Sequence, residues 1–78
     1  MARPIVYTKN DCPWCVKLED FLRQNRIDFE ERNAQDNPAY AREVMEKSGG
    51  FAVPVIDIGG MIIIGYNVKR IKEALKIN

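Results

Sequence analysis

The chain has 78 residues, 12 Lys and Arg against 11 Asp and Glu, no His, two Cys and 46% hydrophobic residues, which suits one small globular domain spanning residues 1–78. A net charge of +1 with the two signs interspersed leaves no basic stripe for phosphates, and the longest apolar run, Met61-Ile62-Ile63-Ile64, falls far short of the roughly 20 residues of a membrane span, so neither nucleic acid nor a membrane is expected as a partner. Met1-Ala2-Arg3-Pro4 lacks the apolar run of a signal peptide, so a cytoplasmic, reducing location is expected, and without histidine the chemistry must come from cysteines, carboxylates or backbone.

In chain order, Arg3 to Thr8 carries the β-branched and aromatic run Ile5-Val6-Tyr7 and reads as a buried strand, ended by the polar Lys9-Asn10-Asp11. A helix follows from Pro13, a residue suited to the first turn because it has no N–H to leave unpaired. Cys15, Leu18, Phe21 and Leu22 recur at helical spacing as far as Asn25. Ile27 to Glu31 alternates and is expected as a strand near the sheet edge. Asn37-Pro38 is a cap and first-turn proline for a second helix, with Tyr40, Ala41, Val44 and Met45 on one face and Gly49-Gly50 as the stop. Pro54 to Ile58, Gly59-Gly60 and Met61 to Ile64 form a hairpin signal. Asn67 caps a last helix in which Val68, Ile71 and Leu75 face inward and Lys69, Arg70 and Lys72 outward.

The order β-α-β-α-β-β-α places the chain in the α/β class. A helical crossover makes the first two strands parallel and the hairpin adds an antiparallel pair, so a mixed four-stranded sheet with helices on both faces is expected. Its central strands would be the apolar runs Ile5-Val6-Tyr7 and Val53-Pro54-Val55-Ile56.

Cys12-Pro13-Trp14-Cys15 holds both cysteines and sits where the first strand feeds the first helix. A cysteine at a helix N-terminus faces unpaired N–H groups and the positive end of the helix dipole, conditions that lower a thiol pKa from about 8.5 to between about 7.5 and 3.5. Cys12 is therefore the expected nucleophile. Cys15, one turn on and packed toward the core, is the expected resolving thiol. Cys12 would attack a substrate disulfide and Cys15 would then displace the product, leaving Cys12–Cys15 oxidised. Pro13 restricts the loop, Trp14 shields it or offers a flat surface to a ligand, and Lys9 adds a positive charge near the thiolate. Half of a zinc site and a purely structural disulfide are the other readings of this spacing. Zinc needs about four ligands where the chain offers two thiols, so no metal is expected, and the loop is too short for a bridge to gain much entropy. The carboxylates Glu19, Asp20, Glu43 and Glu46 stand beside Lys or Arg on helices and are expected as solvated faces.

With Val53-Pro54 before the hairpin and Gly65 before the last helix, this motif resembles the dithiol glutaredoxins of the thioredoxin superfamily over nearly the whole chain. The resemblance implies a thioredoxin-like fold, a cis bond before Pro54, and glutathione as co-substrate; an edge-strand proline in trans is the other reading of Pro54. It further implies that Lys9 meets the glycine carboxylate of glutathione, that Trp14 flanks the thiol, and that the Val53 backbone beside Pro54 pairs with the cysteinyl residue. In Ile64-Gly65-Tyr66-Asn67-Val68 only one glycine of the family's usual pair is present, Tyr66 replaces a small residue, and Asn67 replaces the acid that meets the γ-glutamyl ammonium. Gly65-Tyr66 is similar instead to the Gly-Phe of ribonucleotide-reductase-associated redoxins, which are reduced by thioredoxin reductase. Tyr66 reads either as closing the edge of the core or as facing a partner.

The expected function is thus a glutathione-linked thiol-disulfide oxidoreductase, a monomer acting on disulfide-bearing proteins and on glutathione mixed disulfides. One alternative is a carrier reduced by a thioredoxin-reductase-like flavoprotein and serving ribonucleotide reductase or a peroxiredoxin. Another is a dimeric module holding an iron-sulfur cluster through Cys12 and glutathione thiols.

Overall fold

A computed structural model describes residues 3–77. Four strands, β1 (Ile5–Thr8), β2 (Glu30–Asn33), β3 (Val55–Ile58) and β4 (Met61–Ile64), form one mixed sheet in the order β2-β1-β3-β4. β1 runs parallel to β2 and antiparallel to β3, and β3 and β4 form an antiparallel hairpin. The expected thioredoxin-like α/β order is therefore present, with β1 and β3 at the centre.

The two-residue period of the strands separates two apolar layers. Val6, Ile56 and Ile63 point to one face and pack with Leu18 and Leu22 of α1 (Pro13–Gln24) and Ile71 of α3 (Val68–Leu75). Their neighbours Tyr7 and Val55 point the other way and meet Val44 of α2 (Pro38–Ser48), flanked by Ile5, Tyr40 and Ile62. Each fully buried aliphatic side chain contributes roughly 1.5–3 kcal/mol. A core this small has little surplus, so truncating Leu18 or Ile56 would remove about 2–5 kcal/mol, a large part of a typical total.

Two expectations change. The alternating stretch Ile27–Glu31 is not the second strand, which begins only at Glu30. α1 closes through a turn in which Arg26 adopts φ 58°, with Arg26 N–H donating to Arg23 O and Ile27 N–H to Leu22 O. That closure folds Ile27 back onto the layer containing Leu22, where Phe29 joins it, so both pack as a connector and pairing starts when Glu30 N–H donates to Pro4 O. Met45, expected on the inner face of α2, is exposed: the helix rests on Val44, and the next residue lies about 100° further round.

The caps follow the sequence. Asn37 Oδ1 accepts from Ala39 N–H and Asn67 Oδ1 from Arg70 N–H, while Gly49 ends α2 at φ 80°. Under α2 a polar network crosses the sheet. Tyr7 donates its hydroxyl to Glu43, which also accepts from Arg32, and Lys47 donates to both Tyr7 and Asp57.

Candidate active site

The strand register gathers the site at one end of the sheet. Tyr7 stands opposite Val55 and Val55 opposite Ile64, so the segment leaving β1, the segment entering β3 and the segment leaving β4 lie side by side. Lys9, Cys12, Val53-Pro54, Gly65 and Asn67 belong to those segments or to the helices they feed.

Cys12 is the N-cap of α1 and is joined to Cys15 by a disulfide, with 5.2 Å between the two Cα atoms. Cys12 Sγ accepts from Cys15 N–H at 3.2 Å, so the sulfur already takes one of the donors left free at the helix start. Cys12 keeps 8% of its surface exposed and Cys15 only 2%, an order that fits an attacking outer sulfur and a resolving inner one. Pro13 and Trp14 lie outside, with Trp14 56% exposed and Lys17 Nζ over its ring at 4.6 Å.

The Val53–Pro54 peptide is cis and Pro54 is buried. Among the described residues the Val53 N–H and C=O enter no backbone hydrogen bond, whereas Pro54 O accepts from Gly65 N–H at 2.8 Å. Gly65 has φ 83° and space for a Cβ, so backbone conformation rather than crowding demands glycine there. Tyr66 is half-buried, its ring centroid 6.2 Å from Trp14 and 6.3 Å from Phe21. It therefore closes the core and continues the exposed aromatic surface at once. Asn67 is exposed, but its side-chain oxygen is held by the α3 cap.

Lys9 is exposed and borders two clefts, one of ≈ 230 Å³ shared with Phe51 and Val53, the other of ≈ 500 Å³ shared with Cys12, Cys15, Glu19 and Glu31. The loop after β1 is tied to the turn after β2, since Asn10 N–H donates to Gln35 Oε1 and Asn33 Nδ2 to Asn10 Oδ1. Nothing local in the sequence announces the contacts of Asn10 with Asn33 and Gln35, which lie more than 20 residues away.

The carboxylates need a larger correction. Glu43 is not a solvated group but part of the network under α2, while Asp20 keeps a surface pair with Arg23. Glu19 is only 6% exposed and its Oε2 has no hydrogen-bond partner among the described residues. Burial, and then the neighbouring Glu31 carboxyl, push Glu19 up from 4.5 to about 7. The available signal was its place one turn after Cys15 on the inward side of α1.

Among the described residues no three His, Cys, Asp or Glu side chains stand close enough to hold one metal ion, so a cluster at Cys12 would need sulfurs from beyond this chain. No helix among them is long and apolar enough to cross a membrane.

A disulfide of C-x-x-C spacing at a helix start, on a four-stranded sheet of this order, defines a thioredoxin-like redox site. The glutaredoxin family profile matches residues 5–63, and the chain belongs to the glutaredoxin family. It is 35% identical to an uncharacterized glutaredoxin-like protein of the rubredoxin operon of Clostridium pasteurianum, covering 91% of this chain and 95% of that one. Glutaredoxin-like protein NrdH of Lactococcus lactis is 37% identical over 87% of this chain and 93% of its own. Glutaredoxin 3 of Escherichia coli is 34% identical over 83% and 78%. Among solved structures, a mutant of the thioredoxin-like protein BC3987 superposes with a TM-score of 0.92 over 100% of both chains at 26% identity.

Proposed function

We propose that this protein reduces protein disulfides and glutathione mixed disulfides through a Cys12/Cys15 cycle in a reducing compartment such as the cytoplasm. The reading is carried by the sulfur order at the start of α1, with Cys12 outermost and hydrogen-bonded to Cys15 N–H. The Cys12 thiolate attacks a substrate sulfur and one substrate thiolate leaves; Cys15 then attacks Cys12, the second leaves, and the disulfide forms. Two electrons pass from the dithiol to the substrate. Glutathione, as co-substrate, would lie along the cleft edge with a carboxylate on Lys9 and its cysteinyl backbone on the free Val53 N–H and C=O, with Trp14, Gly65 and Tyr66 as the further contacts that the family resemblance implies.

A second reading has its own observation. Asn67 lacks the charge to meet a γ-glutamyl ammonium, its oxygen is already taken by Arg70 N–H, and Tyr66 extends the aromatic surface beside Trp14. Both features suit a carrier docked by a thioredoxin-reductase-type flavoprotein and passing electrons to ribonucleotide reductase or a peroxiredoxin.

One titration separates the two: the oxidised protein in glutathione buffers, with the Cys15→Ser protein followed by mass. Ready reduction through a Cys12 adduct supports glutathione linkage, with Cys12→Ser losing every activity and Cys15→Ser keeping reduction of glutathione mixed disulfides. A disulfide that millimolar glutathione leaves intact but a flavoprotein reductase with NADPH opens would establish the second reading.

A further inference from the structure

The cycle above leaves one feature of the site unused. Glu19 lies four residues after Cys15 on α1, a spacing that sets side chains on one helix face with about 5–6 Å between Cβ atoms. It is more than nine-tenths buried, its Oε2 is unpartnered among the described residues, and it lines the same ≈ 500 Å³ cleft as Cys12 and Cys15. A buried carboxyl oxygen without a hydrogen-bond partner is costly to keep, and burial disfavours the charged form. No histidine exists in the chain to carry a proton in its place.

We propose that Glu19 is the proton carrier for Cys15 in the dithiol–disulfide cycle. The inference rests on the exchange chemistry proposed above. During oxidation the Glu19 carboxylate takes the Cys15 thiol proton, directly or through one water in the cleft. The Cys15 thiolate attacks Cys12 Sγ of the mixed disulfide, the Cys12–substrate S–S bond breaks, and the substrate leaves as a thiolate with its electron pair. Protonated Glu19 then returns its proton to that thiolate or to water. In reduction the steps reverse, and Glu19 reprotonates the Cys15 thiolate as an incoming thiolate forms its bond to Cys12. A free thiol of pKa about 8.5 is only a few per cent thiolate at pH 7, so an internal base near neutrality accelerates the step that the buried sulfur must perform.

The groups facing Glu19 bear on its titration. Glu31 from β2 raises it, as does Asp20 on its own helix, while Arg23 lowers it. Thr8, Lys9, Asp11 and the two cysteines complete the wall, and Thr8 Oγ1 donates to Glu31 Oε2. A Cys12 thiolate and a Glu19 carboxylate would share one cleft as like charges, so protonated Glu19 also favours the attacking thiolate.

The test mixes reduced protein with dithiobis-nitrobenzoate, whose coloured thiolate is released once by Cys12 attack and once by Cys15 displacement. In the wild type the second phase should gain rate with pH through an inflection near 7, the value set by burial and Glu31. Glu19→Gln should lose that inflection and slow the second phase at pH 7 by about tenfold or more. It should leave the first phase no slower. Glu19→Asp should restore part of the rate, and Glu31→Gln should move the inflection to lower pH. A Glu19→Gln second phase with the wild-type pH profile would overturn the proposal and leave the exchange chemistry standing. Absence of any thiolate release from the reduced wild type would overturn both. Should Glu19→Gln not fold, carbon-13 NMR titration of the Glu19 carboxyl in the oxidised wild type decides alone: a midpoint in the ordinary carboxylate range overturns the proposal, and one near 7 supports it.

Discussion

Tyr7 and Glu19 are buried polar side chains on opposite faces of the sheet, and their partners distinguish them. Tyr7 is fully buried with two: its hydroxyl donates to Glu43 Oε1 and accepts from Lys47 Nζ at 2.8 Å. Burial, then the bond to Glu43, raises its pKa, so the hydroxyl stays a neutral donor across the working range. Tyr7→Phe should cost about 1–3 kcal/mol in urea unfolding, because Glu43 and Lys47 each lose a buried partner while the apolar volume hardly changes. Equal stability would mean that the network under α2 is solvated. Glu19 Oε2 has no partner to lose, the only buried side-chain polar atom of that kind among the described residues. Tyr7 was legible as a strand residue from Ile5-Val6-Tyr7. The inward turn of Glu19 was legible only in its place one turn after Cys15, against the solvated helix face that its neighbours Lys17, Asp20 and Arg23 suggest.

The start of α3 brings cap and ligand chemistry onto one residue. Asn67 holds Arg70 N–H through Oδ1, a task that aspartate performs equally well. Asn67→Asp should therefore leave thermal stability almost unchanged, whereas Asn67→Ala should lose about 1 kcal/mol. If the γ-glutamyl ammonium of glutathione binds beside this helix start, Asn67→Asp should also tighten glutathione binding a few-fold, the range of an exposed ion pair. Calorimetry of both variants checks the two effects separately, and a pair of variants with unchanged glutathione affinity would favour the flavoprotein-reduced carrier. All seven elements were legible in order, because prolines and asparagines mark the helix starts and Gly49 and Gly59-Gly60 the breaks. The placement of β2 was not. Its alternation from Ile27 to Glu31 was real, but the closure of α1 through Arg26 moved that apolar pair into the core before pairing began.

For the whole molecule, carboxylates of opposite behaviour shape stability against pH. The Tyr7 and Arg32 bonds hold Glu43 below the usual carboxylate range, and Asp57, despite burial, is held low by Lys47 and the Gly60 N–H. Their contribution is complete above the unfolded values and is lost as pH falls through the folded ones. Glu19 has the reverse sign. Its folded pKa lies above its unfolded one, so stability is lost as pH rises from 4.5 to about 7 and is constant beyond. The oxidised protein should therefore be most stable on the acid side of neutrality. Glu19→Gln should match it near pH 4 and exceed it at pH 8 by at most about 3.5 kcal/mol, at about 1.4 kcal/mol per pKa unit. Urea unfolding at the two pH values checks this, and a difference independent of pH would mean that Glu19 ionises freely.

Local chemistry sufficed for the α/β order, the redox motif and the family to which they point, because caps, turn residues, hydrophobic period and the C-x-x-C spacing act over a few residues. Only the tertiary structure decided how far each cysteine is exposed, that Tyr66 reaches both Trp14 and Phe21, and that Glu19 is buried in one cleft with Cys15 and Glu31. Each of these depends on which side chains from distant segments exclude water from a point in space. Burial of that kind belongs to the packed assembly of β1, β2 and α1 and to no segment alone.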